Sequence, residues 1–268
     1  MRSLFCLLAF CSFCTHSASK LEVGAGVFLA EIPHYLGSDQ SEQFTLPSPY
    51  IRFSSDELDI DRSGLTGYLW QNGALHLDIS AGFSTAVASE DSRARDGMED
   101  LDWGLELGPA LNYYLTGDSK TGQQLYASLF TRKAIATDFS SISDIGWRYG
   151  VGIYGQQPIE LFTEFPLILS VKANVNFATN RYHDYFYTVS EQFSTPNRPV
   201  YNAKAGYSGS DLSLGLSYDN EQYWVGGFVK YYNISHASSL IASPLVKQHH
   251  NLAVGLGFAW KFYTHQGD

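Results

Sequence analysis

The chain has 268 residues, of which 17 are basic and 27 acidic, so its formal net charge is −10 at pH 7. This acidity argues against a nucleic-acid partner and against docking onto anionic headgroups through a basic patch. The 18 Tyr, 17 Phe and 24 Gly residues are instead typical of a membrane β-barrel with aromatic girdles.

Residues 1–19 have the pattern of an export signal peptide. A basic start at Arg2 precedes an apolar run, Leu4–Phe13, and small residues that suit cleavage before Lys20. The apolar run is too short to span a bilayer. All the cysteines lie in this segment, at Cys6, Cys11 and Cys14. The mature chain, residues 20–268, would therefore have no disulfide, and its 16 basic and 27 acidic residues give a net charge of −11.

The mature chain alternates apolar and polar residues with the period of two that a β-strand requires. One face of each candidate strand is uniformly apolar, and the other mixes glycine with isolated charges, as in NLAVGLGFAWKF at Asn251–Phe262. A sandwich in water would have a densely polar second face. Lipid outside and small residues inside explain the pattern better, so residues 20–268 are predicted to form an all-β, transmembrane, antiparallel up-and-down β-barrel.

The links between candidate strands suggest how many strands there are. From Ala74 onward, short and long links alternate, as an up-and-down barrel requires. A short link is predicted at Gly155–Ile159. The long links, predicted to lie outside the cell, are Tyr35–Gln43, Ala88–Asp100, Thr137–Asp144, Ala178–Gly209 and Ser235–Gln248.

Three candidate strands precede Ala74, and they are Lys20–Pro33, Phe44–Ser54 and Glu57–Trp70. At Arg62–Gly64 the apolar residues move from one face of the strand to the other. The third segment is therefore expected to bend, split in two or fold inward. The resulting count of eleven strands must become even. Twelve strands are favoured, and ten are the alternative.

Several charged residues would point into the barrel by the same alternation. A small barrel packs such groups as ion pairs, because an unpaired buried charge is costly. A mostly closed lumen is therefore favoured over a solute channel, although the strand number leaves both open. The candidate lumen charges are Asp78, Glu106, Arg148, Glu164 and Lys172, with Arg132 as a further candidate.

Catalytic and metal sites are weakly indicated. The pairs His183–Asp184, Ser235–His236 and His249–His250 fall in or beside long links, where histidine is expected to be exposed. Neighbours on an extended chain point apart, and no GxSxG motif is present, so no enzyme activity and no cofactor are predicted. The acidic segment Glu90–Asp102 is expected to be a solvated loop, with divalent-ion bridging to lipopolysaccharide phosphates as the alternative.

The link Ala178–Gly209 is the longest and the richest in aromatic residues. Six aromatic side chains can bury enough area to order it, so it is expected to fold over the outer mouth of the barrel. Pro196 and Pro199 limit how far it can continue the sheet.

A series of local motifs resembles the MipA/OmpV family of outer-membrane proteins, named for an interaction with a murein-degrading lytic transglycosylase. The resemblance covers most of the mature chain, although Tyr263–Asp268 continues past the terminal aromatic Phe262, where such barrels often stop. The motifs are GAGVFLAEIPHYLGSD at Gly24–Asp39, LPSPYIRF, RSGLTGYLW, DLDWGLELGPAL and ASPLVKQHHNLAVGLGFAWKF.

The resemblance implies location and a non-enzymatic role. It places the chain in the outer membrane of a Gram-negative cell, in contact with lipid and lipopolysaccharide. It further implies a scaffold that holds a lytic transglycosylase and a murein synthase near each other. The alternative is a surface adhesin or antigen, or a narrow solute pore, that uses the long outer links.

Overall fold

The computed structural model describes residues 20–54, 58–61, 64–117, 122–162 and 165–267; the predicted signal peptide lies outside these ranges. No described helix is long and apolar enough to cross a membrane. Two short α-helices lie in the links, α1 at Asn180–Tyr187 and α2 at Ser238–Ile241. The twelve strands are β1 Lys20–Pro33, β2 Ser41–Ser54, β3 Leu58–Asp61, β4 Gly64–Asn72, β5 Leu75–Ser84, β6 Trp103–Gly117, β7 Gln124–Thr137, β8 Ile142–Phe162, β9 Phe165–Ala178, β10 Gly206–Asp219, β11 Tyr223–Asn233 and β12 His250–Gln266.

The strands form one antiparallel ring in chain order. The ring closes because β1 also pairs with β12, from Lys20 opposite Gln266 to Glu31 opposite Val254. The predicted up-and-down barrel of twelve strands is confirmed, and the alternative of ten is wrong. The residues after Phe262 extend the pairing of β12 with β1.

The two faces of the wall are clearest on β12, where exposed and buried residues alternate. Leu256 on the outward face is 65% exposed. On the inward face, a methyl group placed on Gly255 would meet the side chains of Phe228 and Phe28 at 2.4 and 2.9 Å. The small residues of β12 therefore make room for aromatic side chains from β1 and β11 inside the barrel, while lipid covers the outside.

Two predicted links are wrong. The segment Gly155–Ile159 lies within β8. Pro158 is tolerated there because β7 pairs with β8 only as far as Gln156, so within the described ranges the edge of β8 that faces β7 has no ladder beyond that residue for proline to interrupt. The link Thr137–Asp144 is a four-residue turn rather than a long loop. The Asp138 carboxylate closes this turn by accepting backbone N–H groups of the two serines that follow.

The barrel wall is incomplete between β2 and β5. The strand β2 pairs with β3 only at its last two residues. The strand β5 pairs with β4 only through its first four residues, 75–78. Within the described ranges, the backbone ladder of Ser41–Arg52 is the one with β1, and that of Ile79–Ser84 is the one with β6. We call this gap in the outer half of the wall the lateral opening.

The lateral opening arises where the sequence pattern slips. The segment Glu57–Trp70, predicted as one strand, is split into β3 and β4 at residues 62–63. Of the three outcomes expected for the slip at Arg62–Gly64, the structure has the split. Neither half is long enough to line the whole height of β2.

The hydrophobic core lies over the outer mouth rather than in the lumen. It is built mainly from four outer links, residues 34–40, 85–102, 179–205 and 234–249, which we call the cap. The cap joins links that are far apart in the chain, so they form one packed layer. Its most buried apolar residues are Val87, Leu101, Val189, Ile234, Ala237, Leu240 and Leu245.

Candidate functional site

The link that was predicted to fold over the mouth forms the centre of the cap. Tyr187 of α1 packs edge-on against Tyr35, with 6.2 Å between ring centroids. The Tyr187 hydroxyl donates to the Leu36 carbonyl at 3.0 Å, and the Tyr35 hydroxyl donates to the Leu245 carbonyl at 2.8 Å. Burial raises the pKa of Tyr35 to about 12, so its hydroxyl stays protonated as a donor at neutral pH. The outer mouth is therefore covered by an ordered layer.

The acidic segment Glu90–Asp102 is more than the solvated loop that its composition predicts. Most of its carboxylates are exposed, but Arg95 is buried in the cap. The Arg95 guanidinium donates to the Phe186 carbonyl at 3.1 Å and to the Glu99 carbonyl at 3.1 Å. One cation thus ties this acidic segment to α1.

His183 was expected to be exposed, and this is wrong, because the residue is fully buried under the cap. Its Nδ1 lies 2.6 Å from the Lys204 carbonyl oxygen, which can only accept, so Nδ1 carries the proton. Nε2, 2.6 Å from the Ser208 hydroxyl, then accepts from it. Burial lowers the pKa of His183, in keeping with a neutral ring. Nδ1 thus holds the two ends of the link 179–205 together, and Nε2 joins the link to β10.

Glu106 is the centre of a charged cluster inside the barrel, which we call the upper cluster. Its carboxylate, 8% exposed, lies 3.4 Å from both Arg132 and Arg148. The Tyr182 hydroxyl of α1 donates to it at 2.9 Å. The upper cluster thus brings together three residues that strand alternation placed inside, and it joins the wall to the cap.

The remaining candidate lumen charges are placed differently. Asp78 is buried and accepts a hydrogen bond of 2.6 Å from the Asn112 amide rather than an ion pair. Lys172 faces the lumen beside Asn174, yet its side chain is exposed. It has no ion pair or hydrogen bond to any residue that the structure describes. An exposed, inward lysine shows that the lumen is hollow at this level. Glu164 lies outside the described residues.

Two further groups of lumen charges were not singled out from the sequence. Asp211 lies 3.4 Å from Lys230 and accepts hydrogen bonds from two asparagines of β9. At the periplasmic end, Lys261 lies 2.5 Å from Asp219 and 3.3 Å from Glu22. Inward parity on β1, β10, β11 and β12 could have found these residues. The pairing of Lys261 with Glu22 depends on the register across the closure of the ring, and that of Asp211 with Lys230 on the register between β10 and β11.

One serine and one histidine meet on the outer rim. The Ser235 hydroxyl lies 3.5 Å from His250 Nε2, and the Tyr231 hydroxyl lies 2.6 Å from His250 Nδ1. All three are near solvent, and the first distance is at the limit of a hydrogen bond. A working nucleophile needs a base within closer reach and an oriented, water-excluding surround. No group of three or more potential metal ligands occurs in the described part of the chain.

An apolar recess of about 990 Å³ lies on the outward wall. Leucine and valine side chains of the outward face dominate its lining, with Leu29, Leu214, Val225 and Leu256 among them. Phe228 and Gly255 of the inward face also line it, so the recess involves both faces of the wall.

The sequence profile of a protein family described as "MltA-interacting protein MipA" matches residues 23–262. The chain belongs to the MipA family. No curated protein gives a significant match. With its closed ring of antiparallel strands, this MipA-family chain is a β-barrel of the outer membrane.

Solved structures that resemble the MipA-family chain share only low identity with it. An outer-membrane channel from Pseudomonas putida F1 is 10% identical, with a TM-score of 0.38, and the match covers 97% of this chain and 100% of the channel. A bacterial polysaccharide outer membrane secretin is 11% identical, with a TM-score of 0.39 and coverage of 93% and 100%. The outer membrane protease OmpT from Escherichia coli is 7% identical, with a TM-score of 0.30 and coverage of 97% and 99%.

Proposed function

We propose that this MipA-family barrel is a non-enzymatic scaffold that holds murein-remodelling enzymes, a lytic transglycosylase and a murein synthase, at the inner surface of the outer membrane. The observation that carries the proposal is the cap. It covers the outer mouth with a packed core, which disfavours a straight pore and leaves the periplasmic end as the free surface. The family description, an MltA-interacting protein, supports a murein enzyme as the partner.

The hairpin formed by β8 and β9 offers the best-defined periplasmic surface. The strand β8 continues to Phe162, although β7 pairs with it only as far as Gln156. The hairpin therefore extends past its neighbour toward the periplasm, with Gln157, Pro158 and Glu160 exposed. Short turns alone would offer little binding area, and this extension adds to it.

Binding of a purified lytic transglycosylase to the immobilised mature barrel in detergent tests the scaffold. Charge reversal on the hairpin, Glu160→Lys, should weaken capture at low salt. The matched reversal on the cap, Glu191→Lys, should leave capture unchanged because Glu191 is exposed on the other side of the membrane. Equal effects of the two variants, or no capture by the unaltered protein, would overturn the proposal.

The non-enzymatic part of the proposal has its own test at the outer rim. A fluorophosphonate probe labels activated serines, and Ser235 lies beside a histidine near solvent, whereas Ser208, which contacts His183, is buried. We expect no labelling above that of the Ser235→Ala variant. Labelling that disappears in Ser235→Ala would indicate a serine hydrolase instead.

A further inference from the structure

A charged cluster lies on the outward face of the wall, where the cap meets β7 and β8. Lys133 of β7 pairs with Trp147 of β8, which is 43% exposed on that face. The Lys133 ammonium lies 2.6 Å from one oxygen of the Asp144 carboxylate, and the Arg181 guanidinium lies 3.3 Å from the other. Two cations thus share one carboxylate. We call Lys133, Asp144 and Arg181 the rim cluster, and its net charge is positive.

Close packing of α1 against β8 brings Arg181 to the rim cluster. A methyl group on Gly146 would meet the Tyr182 nitrogen at 2.9 Å and the Arg181 Cβ at 3.2 Å, so α1 could not lie this close to a larger residue. The Trp147 N–H donates to Thr179 Oγ1 at 3.0 Å, and the Thr179 N–H donates to the Trp147 carbonyl at 3.0 Å. The wall and the cap thus each supply one cation, in a fixed relation.

The rim cluster lies just outside an aromatic belt on the outward face. Tyr149 of β8 stacks on Phe177 of β9 with 5.9 Å between ring centroids, and Phe177 meets Tyr207 of β10 edge-on at 5.8 Å. Such belts mark the level at which the acyl chains of a bilayer meet the headgroups. Asp144 lies five residues further out along β8 than Tyr149. Lys133 begins deeper in the wall, and its flexible stem carries the ammonium outward to Asp144, so both cations lie at headgroup level.

The charge of the rim cluster contrasts with the rest of the outer surface. The mature chain has a net charge of −11, and exposed carboxylates predominate in the cap. Asp102 and Asp138 lie beyond the outer ends of β6 and β7, further from the hydrocarbon. The Lys133 side chain is 36% exposed and that of Arg181 is 64% exposed, so both cations are accessible. Accessible positive charge at headgroup level favours an anionic lipid, and a phosphate has enough oxygens to bridge two cations.

Two exposed apolar side chains lie further out on the same hairpin. Phe139, in the turn between β7 and β8, is 83% exposed, and Ile142 is 73% exposed. Phe139 has a φ of 68°, which is rare for a bulky residue, and its N–H donates to Thr137 Oγ1 at 2.9 Å. The Asp138 carboxylate faces into the turn, where the hydroxyls and N–H groups of the two following serines donate to it. An ordered turn thus holds an aromatic ring beyond the rim cluster, where the sugars of a glycolipid would lie.

We propose that the rim cluster binds a phosphate of a phosphorylated glycolipid in the outer leaflet, which in a Gram-negative cell is lipopolysaccharide. The phosphate lies between Lys133 and Arg181, the acyl chains lie along the outward face of the wall, and the sugars lie against Phe139. The lipid joins the wall to the cap, because one cation belongs to each. This site is on the opposite side of the membrane from the proposed scaffold surface and is independent of it.

Native mass spectrometry of the mature barrel in detergent micelles counts bound lipids and measures their affinity. The probe is bisphosphorylated lipid A with its inner-core sugars, added in EDTA so that divalent ions cannot bridge it to the exposed carboxylates of the cap. Lys133→Met and Arg181→Gln should each weaken binding about fivefold, the effect of one cation near a charged surface. Lys247→Met removes the same charge from the exposed link between β11 and β12, and it should leave the affinity unchanged.

The variant Asp144→Asn separates a lipid site from a purely structural set of ion pairs. It removes the carboxylate that competes with the phosphate, and its amide oxygen can still accept the Gly146 N–H. Binding should become about fivefold tighter. Weaker or unchanged binding in Asp144→Asn, or equal effects of Lys133→Met and Lys247→Met, would overturn the proposal. Heat-modifiable gel mobility shows that each variant has folded. Capture of the lytic transglycosylase should be the same for all of them, so failure here is distinct from failure of the scaffold.

Changes in the lipid test the stated chemistry. Lipid A without its phosphates, and phosphatidylglycerol, which has a phosphate but no sugars, should both bind more weakly than the probe. Equal affinity of the barrel for either lipid and for the probe would overturn the assignment to lipopolysaccharide. Phe139→Gly removes the ring and keeps the positive φ, which glycine readily adopts. This variant should bind the probe more weakly and bind lipid A without core sugars normally, whereas normal binding of both would exclude the sugar contact.

Discussion

Substitution of Leu107 by arginine tests which face of the wall meets lipid. Leu107 lies on β6 and is 57% exposed on the outward face. On the outward face of β6, Leu107 lies between the interfacial aromatic residues Trp103 and Tyr113, near the middle of the hydrocarbon layer. Arginine at the midplane of a barrel costs about 2–4 kcal/mol, and we expect that loss for Leu107→Arg.

The matched control is Leu115→Arg on the same strand and the same face. Leu115 is 52% exposed but lies beyond Tyr113, toward the periplasmic interface. The same substitution there should cost only about 0–1 kcal/mol, because the guanidinium reaches water. Strand propensity and side-chain volume change equally in the two variants, so the difference reports depth in the membrane.

The measurement is reversible folding into phospholipid vesicles, followed by tryptophan fluorescence in a urea titration. The free energy of unfolding should be lower for Leu107→Arg than for Leu115→Arg by at least about 1 kcal/mol, which is roughly a fivefold change in the equilibrium constant. Equal free energies for the two variants, or a greater loss at Leu115, would refute the assignment of the lipid face.

Three further predictions concern the lumen, the cap and the periplasmic end. Glu106→Gln leaves two arginines without their carboxylate, so the free energy of unfolding should fall by about 3–5 kcal/mol in the same titration; no loss would mean that the upper cluster is not desolvated. Burial lowers the pKa of His183, so the unfolded cap binds more protons below the ordinary value of 6.5. Cap stability should hold above pH 6.5 and fall below it, with faster proteolysis of residues 179–205 at pH 5.5, and His183→Gln should remove this dependence. Lys261→Met should destabilise the barrel because it leaves Glu22 and Asp219 without their shared ammonium, whereas a neutral effect in the urea titration would show that Lys20 and Arg52 suffice as partners of these carboxylates.

Alternation was enough to assign the faces of the long strands. On β6 and β12 the lipid side requires apolar residues at every second position. The inward orientation of Glu106, and that of the small residues around Gly255, therefore follow from the alternation alone. Parity also put Arg148 inside. It could not pair these residues, because a pair depends on the register between strands and on the length of each side chain.

The parts that the sequence did not predict depend on contacts between distant segments. Tyr182 completes the upper cluster from α1, and no local pattern shows that an eight-residue helix will lie across the mouth. His183 is buried because four outer links pack together, so its loop position was misleading. The length of β8 was missed for a different reason. Pro158 was taken as a link residue, although an unpaired edge tolerates it.

The lateral opening and the hollow lumen are physically linked. Unpaired strand edges are unstable in hydrocarbon because their N–H and C=O groups have no partner, but they persist where they line a hydrated cavity. The exposed side chain of Lys172 indicates that the lumen can hold water. A lumen filled by ion pairs would leave the edges of β2 and β5 dry and costly. Water in the lumen can therefore satisfy backbone groups at the edges of β2 and β5 that form no ladder within the described ranges.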